Sequence, residues 1–210
     1  MRMSVLFVVP PYSCWGVQVI GTWPPLQIAY LAAAVERAGH EARIYDAMSK
    51  GTGFDEIRAE LERRPDVVVT FDYLPVTGAI STATVPAALQ VLRIAKEVDP
   101  RIVTVVGGPL PTFLFAEIFA AAANGVDFVL RGEAEETLPE LLGALRDGTP
   151  PDAVAGIAFV RGGGPMETPL RPHVADLDAL RPAWHLLDWK DYHYNIEPWG
   201  RMASMLTSRG

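Results

Sequence analysis

The sequence predicts an α/β domain built on a doubly wound, five-stranded parallel sheet, and three observations carry that reading. The runs Asp66–Phe71 and Ile102–Val106 are dominated by β-branched residues, Val67-Val-Val-Thr70 and Ile102-Val-Thr-Val-Val106, as strands covered on both faces are. Each run alternates with a stretch of helical periodicity, and the connections are short. The last two runs stop on glycine, at Gly107-Gly108 and at Arg131-Gly132-Glu133, just before a helical pattern resumes. Glycine lets the backbone turn sharply there and lets another group approach it closely.

Taken in order, Ser4–Val9 reads as strand one, followed by a loop from Pro10 to Gly21. Thr22 is placed to cap the next helix, with Pro24 or Pro25 in its first turn, and Leu26, Ala29, Tyr30, Ala33 and Ala34 repeat at helical spacing. Strand two is Glu41–Tyr45, ending on Asp46, and a helix through Phe54, Ile57 and Leu61 stops at Pro65. Strand three is Asp66–Phe71 and helix three Ala87–Val98. Strand four is Ile102–Val106, helix four Phe113–Ala123, strand five Val126–Leu130 and helix five Glu135–Arg146. Strands one and three both read as fully buried, which favours the flavodoxin-like order 2-1-3-4-5.

The rhythm changes at Pro150, which divides the chain into a domain over 1–150 and a hairpin and linker over 151–210. Gly156–Arg161 and Met166–Pro169 flank a glycine-rich turn and predict a β-hairpin. Arg171–Asn195 carries prolines, three histidines and several aromatics without a period, and reads as a wrapping linker with short helical turns. Its aromatics Trp184, Trp189, Tyr192 and Tyr194, with Trp199 beyond, are expected to pack on a domain outside this chain. That would leave Arg171–Gly210 the least stable part.

Composition narrows the function classes. Half of the 210 residues are hydrophobic and a fifth are charged, enough for a substantial core. The net charge of −7 argues against nucleic acid as the main partner. No apolar run approaches the ~20 residues of a membrane span. The single cysteine, Cys14, excludes an intrachain disulfide and an all-cysteine metal site. A cytoplasmic location follows as the default.

Ligands of open α/β sheets sit at the carboxyl ends of the strands. A dinucleotide fingerprint needs G-x-G-x-x-G after strand one, where this chain has Pro10-Pro-Tyr-Ser-Cys-Trp15. A flavin phosphate loop would be richer in hydroxyls. A phospho-accepting receiver would carry clustered acids after strand one and a lysine after strand five. What the strand ends do offer is Tyr12, Ser13, Trp15 and Trp23 from the first unit and Asp46 from the second. The third supplies Phe71, Asp72, Tyr73 and Thr77, the fourth Gly107, Gly108 and Pro109, and the fifth Arg131, Gly132 and Glu133. This aromatic, small and polar edge suits a large, flat, amide-bearing ligand.

The ordered set Gly21-Thr-Trp-Pro-Pro25, Ala29-Tyr-Leu31, Tyr45-Asp-Ala-Met48, Val103-Thr-Val-Val-Gly-Gly108 and Leu130-Arg-Gly-Glu133 resembles the N-terminal cobalamin-binding domain of cobalamin-dependent radical SAM enzymes. Within that superfamily it is most similar to the anaerobic magnesium-protoporphyrin monomethyl ester cyclases. In the family, Leu206-Thr-Ser-Arg-Gly210 leads into the cysteine motif that ligates a [4Fe–4S] cluster, and this sequence ends before those cysteines. The resemblance implies cobalamin over the strand ends, its nucleotide tail bordered by Thr70 and Gly107-Gly108. S-adenosylmethionine and the [4Fe–4S] cluster would belong only to the parent enzyme, with its radical SAM domain as partner. Segment Tyr12–Gly16 lacks the histidine that ligates cobalt in methionine-synthase-type domains, which implies a displaced tail without histidine below cobalt.

Several residues keep two readings. Gly107-Gly108 is either a tight turn or a point of ligand approach. Glu135 and Glu136 complement a helix dipole, whereas Glu133 either does the same or accepts from corrin amides. Trp23 either staples the helix entrance or meets the ligand, and Asp46 either caps a turn or accepts from it. Cys14 fits a small apolar filler as well as a cobalt ligand. The parent reads as an oxidative cyclase acting on a magnesium porphyrin. The alternatives are a radical SAM methyltransferase module and a cobalt-free flavodoxin-like binding or regulatory domain. By itself the chain is expected to be inactive and to hold no cluster.

Overall fold

The structure is a computed structural model that describes residues 2–11, 21–72, 84–194, 197–201 and 203–205, with 197–201 described through their backbone. Tyr12, Ser13, Cys14, Trp15, Tyr73 and Thr77, named above from the sequence, lie outside the described residues.

The β-branched runs form strands β1 (Ser4–Val9), β3 (Val67–Phe71) and β4 (Val103–Gly107), with β2 (Glu41–Asp46) and the short β5 (Phe128–Leu130) on either side. These five are parallel, in the order β2-β1-β3-β4-β5. The hairpin strands β6 (Ile157–Arg161) and β7 (Gly164–Glu167) continue the same sheet, β6 pairing antiparallel with β5 through Phe128↔Phe159. The predicted order is therefore observed, and the hairpin extends the sheet to seven strands.

Alternation along each strand sorts the core into two layers. Val5, Phe7, Val9, Val67, Val69 and Val105 face helices α1 (Leu26–Arg37) and α7 (Thr137–Asp147). Leu6, Val8, Val68 and Val106 face α3 (Phe54–Leu61), α4 (Val85–Val98) and α6 (Phe115–Ala122). Two short helices, α2 (Ala47–Lys50) and α5 (Pro109–Phe113), follow the ends of β2 and β4. The single helix expected over Phe113–Ala123 is broken at Leu114 (φ −110°, ψ 34°), which separates α5 from α6.

Thr22 does not cap α1. Pro25 stands at the N-cap without a side-chain bond, and the Thr22 hydroxyl instead donates to the Asp191 carbonyl at 2.5 Å. The C-terminal segment thus folds back on the domain. The Ala183 N–H donates to the Ala29 carbonyl at 2.9 Å, and Ala183, Leu187 and Tyr192 are buried. The expectation that Tyr192 packs on a domain outside the chain is therefore corrected. Trp184, Trp189 and Tyr192 form an aromatic ladder with centroid spacings of 5.3 and 6.2 Å. Strands β8 (His193–Tyr194) and β9 (Glu197–Arg201) form a separate ribbon, and Gly21 bridges to Tyr194. A Cβ on Gly21 would lie 2.4 Å from the His193 carbonyl oxygen, so only glycine permits this crossing.

Candidate functional site

Strand order reverses between β1 and β3, and the crevice beyond their carboxyl ends is where an open α/β sheet receives its ligand. Thr70, opposite Val8 of β1, and Phe71, opposite Gly107 of β4, form the β3 side of that crevice. Asp72 follows them and is fully buried. The Leu110 N–H donates to Asp72 Oδ2 at 2.9 Å, and the Thr84 hydroxyl donates to the Asp72 carbonyl. Asp72 is thereby tied both to the turn after β4 and to the start of α4. Burial pushes the Asp72 carboxyl up to about 6, with the Leu110 hydrogen bond pulling the other way.

Two buried polar side-chain atoms at this edge, Thr70 Oγ1 and Asp72 Oδ1, have no hydrogen-bond partner among the described residues. Native interiors leave few such atoms, because each costs about 1–3 kcal/mol, so a pair two positions apart at the end of β3 calls for a ligand or water.

The two glycines acquire a local reason. A Cβ on Gly107 would stand 2.5 Å from Phe71 Cε1. One on Gly108, whose φ is +118°, would stand 1.8 Å from Asp72 Oδ1. Both positions are glycine so that Phe71 and Asp72 can lie against the β4 turn. The close approach read from the sequence is real, but the chain's own side chains make it. Pro109 begins α5, where its missing N–H leaves nothing unmade.

Arg131 and Gly132 are built into the scaffold. Arg131 Nε donates to the Thr112 carbonyl and Nη1 to the Thr168 carbonyl, both at 3.1 Å, and the guanidinium also pairs with Glu167. Its carbon stands 4.9 Å from the Phe115 ring centroid. The Gly132 N–H donates to Thr112 Oγ1 at 3.0 Å, and that hydroxyl donates to the Gly108 carbonyl at 2.8 Å. Thr112, which the sequence reading passed over, therefore joins the two glycine motifs. Its only signal was its position one turn after Gly108. Glu133 Oε2 accepts from the Val174 N–H at 2.5 Å, and Oε1 lies 3.7 Å from His173, holding the start of the linker.

Asp46 and Trp23 lie at the β2 and α1 side and both meet the returning C-terminal segment. Asp46 caps α2 by accepting from the Ser49 N–H at 2.9 Å and also accepts from the Tyr192 hydroxyl at 3.1 Å. Burial pushes its carboxyl up to about 6, against the lowering effect of these hydrogen bonds. Trp23 meets Tyr194 edge to face at 6.3 Å. The structure thus brings together Thr70, Phe71, Asp72, Gly107, Gly108 and Pro109, and assigns Arg131, Gly132 and Glu133 to bracing beside them.

The histidines are dispersed. His40 Nδ1 faces the Met3 N–H at the amino ends of the strands, His185 pairs with Glu36, His173 lies by Glu133 and His193 lies 3.4 Å from Thr22 Oγ1. Among the described residues no group of three or more His, Cys, Asp or Glu could hold a metal ion.

Fold and crevice define an open α/β ligand-binding domain. The B12 binding domain family matches residues 13–142, and the chain belongs to that family. It is 35% identical over 198 residues to the anaerobic magnesium-protoporphyrin IX monomethyl ester cyclase of Rubrivivax gelatinosus, covering 91% of this chain and 34% of that protein. It is 32% identical to an uncharacterized methyltransferase of Pyrococcus horikoshii, covering 99% of this chain and 43% of that protein. The fold is shared with the radical S-adenosylmethionine methyltransferase TsrM from Kitasatospora setae, solved with cobalamin and a [4Fe-4S] cluster bound. There the TM-score is 0.63 at 19% identity, over 87% of this chain and 31% of that one. The chain spans about a third of the length of the first of these relatives. No helix among the described residues is long and apolar enough to cross a membrane.

Proposed function

We propose that this chain is the cobalamin-binding module of a cytoplasmic radical SAM enzyme whose reaction is an oxidative ring closure on a magnesium porphyrin. The observation that carries the cobalamin reading is the pair of unpartnered buried atoms, Thr70 Oγ1 and Asp72 Oδ1, at the crevice of a chain that belongs to the B12-binding family. The likeness to a cyclase over 91% of the chain supports the substrate class.

When bound, cobalamin supplies a cobalt centre suited to methyl transfer or one-electron chemistry. This chain's residues bind and orient it. Thr70 Oγ1 offers a hydroxyl that both donates and accepts, and Asp72 Oδ1 offers an acceptor. Phe71 lines the floor above Gly107, and Gly107, Gly108 and Pro109 form the lip. Trp23 and Asp46 bound the opposite side, with Tyr12, Ser13, Tyr73 and Thr77 contributing from segments outside the described residues. The dispersal of His40, His173, His185 and His193 supports a base-displaced state with no protein imidazole on cobalt.

The test is retention. Purified chain mixed with hydroxocobalamin, or with cob(II)alamin under anaerobic conditions, and then desalted, should keep the base-off visible spectrum. His185→Ala and His193→Ala should leave that spectrum unchanged. Failure to retain cobalamin would favour a cobalt-free binding or regulatory domain. A spectrum that depends on one histidine would keep the ligand and reject the coordination. A methyltransferase parent is the second reading, favoured by the relative from Pyrococcus horikoshii. Assaying both reactions with the natural full-length gene product separates the two.

A further inference from the structure

Asp72 has a geometry that the strand-end crevice alone does not require. Its carboxylate is clamped from one side, because the Leu110 N–H holds Oδ2 at 2.9 Å. That bond fixes the carboxylate plane and turns Oδ1 toward Gly108, where it occupies the space that a Cβ would take, 1.8 Å from that ideal position. Oδ1 is buried and has no partner among the described residues. No charged group among the described residues acts on it, and burial alone pushes the acid upward. An oriented, unpartnered carboxylate oxygen is an acceptor awaiting an N–H or O–H, and it repels an anion.

We infer that Asp72 Oδ1 is a specificity contact: it accepts a hydrogen bond from a neutral donor of the bound cobalamin, an amide N–H of the corrin or a hydroxyl of the nucleotide tail. The tail phosphate is thereby kept away from the Gly107-Gly108 lip. This rests on the cobalamin reading above and names the residue that selects which part of the ligand meets the β4 turn. Asp72 thus works twice, through Oδ2 as a brace of the chain and through Oδ1 as a contact.

Asp72→Asn tests it. The side-chain amide oxygen can keep the Leu110 N–H, which places the amide nitrogen where Oδ1 stood, a donor facing a donor. The ligand-free variant should melt no lower than wild type, since a buried charge is removed. Its dissociation constant for hydroxocobalamin should rise at least tenfold. Repeating the titration with cobinamide, which lacks the nucleotide tail, separates the two donors. A tenfold loss with both ligands assigns a corrin amide, and a loss with cobalamin alone assigns a tail hydroxyl. Unchanged affinity for both overturns the inference while leaving the cobalamin reading intact. A wild-type chain that retains neither ligand overturns both.

Should Asp72→Asn fail to fold, by circular dichroism, an unaltered Asp72 carries the test. Among the described residues the groups that face it, Phe71, Thr84, Gly107, Gly108 and Leu110, do not titrate. In an Asp46→Asn background, which removes the other raised acid, affinity should fall several-fold between pH 7.5 and pH 5 as the acceptor is protonated. A profile flat for cobalamin and cobinamide alike overturns the inference.

Discussion

The Tyr192 hydroxyl donates to Asp46 Oδ2 at 3.1 Å, joining positions 146 residues apart. Asp46 ends β2, so this contact pins the returning C-terminal segment to the strand ends that border the crevice. Lys50 reinforces it from the end of α2, its ammonium 2.7 Å from Asp191. The burial that raises Asp46 also pushes the Tyr192 phenol further up, with the Asp46 charge adding to it.

Replacing Tyr192 with phenylalanine should therefore destabilise the domain. Asp46 keeps its cap on Ser49 but loses a buried donor, a change worth about 1–3 kcal/mol. Urea unfolding reads the loss, and hydrogen exchange should show residues 184–194 opening while β3 and β4 stay protected. Wild-type stability in this variant would mean that the linker is held by its apolar contacts alone.

Asp46 and Asp72 are both raised to about 6, which sets an unusual pH response. A carboxyl raised on folding contributes stability that is fully present below its unfolded value and is lost as the pH rises through about 6. Lowering the pH from 7 to 5 should then stabilise the ligand-free chain by roughly 1 kcal/mol for each acid. Asp46→Asn and Asp72→Asn should each remove about half of that slope in chemical denaturation. A wild-type chain that loses stability over this interval would contradict the burial of both groups.

The glycines of the β4 turn should fail for different reasons. Gly108→Ala meets a fixed carboxylate at a positive φ and should cost several kcal/mol, on the order of a severe core substitution. Gly107→Ala meets the ring of Phe71. Combining it with Phe71→Leu should restore part of its loss, and a thermodynamic double-mutant cycle measures the coupling. Additive effects would show that the ring does not fill that space.

Thr70→Val should raise or leave unchanged the stability of the ligand-free chain, because it deletes a buried hydroxyl that has no partner among the described residues. It should also shrink the thermal shift produced by cobalamin. Loss of stability without ligand would show that the hydroxyl is satisfied within the chain.

The five parallel strands and their order were legible because Val67-Val-Val69 and Val103–Val106 announce burial on both faces and the connections are short. The same logic put Phe71, Asp72 and Gly107-Gly108 at the carboxyl ends of β3 and β4, where the structure has them. Contacts distant in sequence were not legible. Thr22 sits where a cap is expected, yet its partner lies 169 residues away. Tyr192 reads as a linker aromatic and is a buried donor. Arg131 reads as a cation at a strand end, and only the fold shows its N–H groups turned onto Thr112 and Thr168. Periodicity reports which face is covered. It does not report which distant segment covers it.

The β6–β7 hairpin has a consequence for solubility. Without it the sheet would end on Phe128-Val129-Leu130, a short apolar strand with an unpaired row of backbone groups open to a second molecule. The hairpin moves that margin outward to Gly164-Pro165-Met166-Glu167, four residues that include a proline without an N–H and an acid. A margin of that kind resists templating a strand from another chain. Ending the protein before Ile157 would expose β5, and its expected fate is aggregation through edge pairing at concentrations where the whole chain stays dispersed.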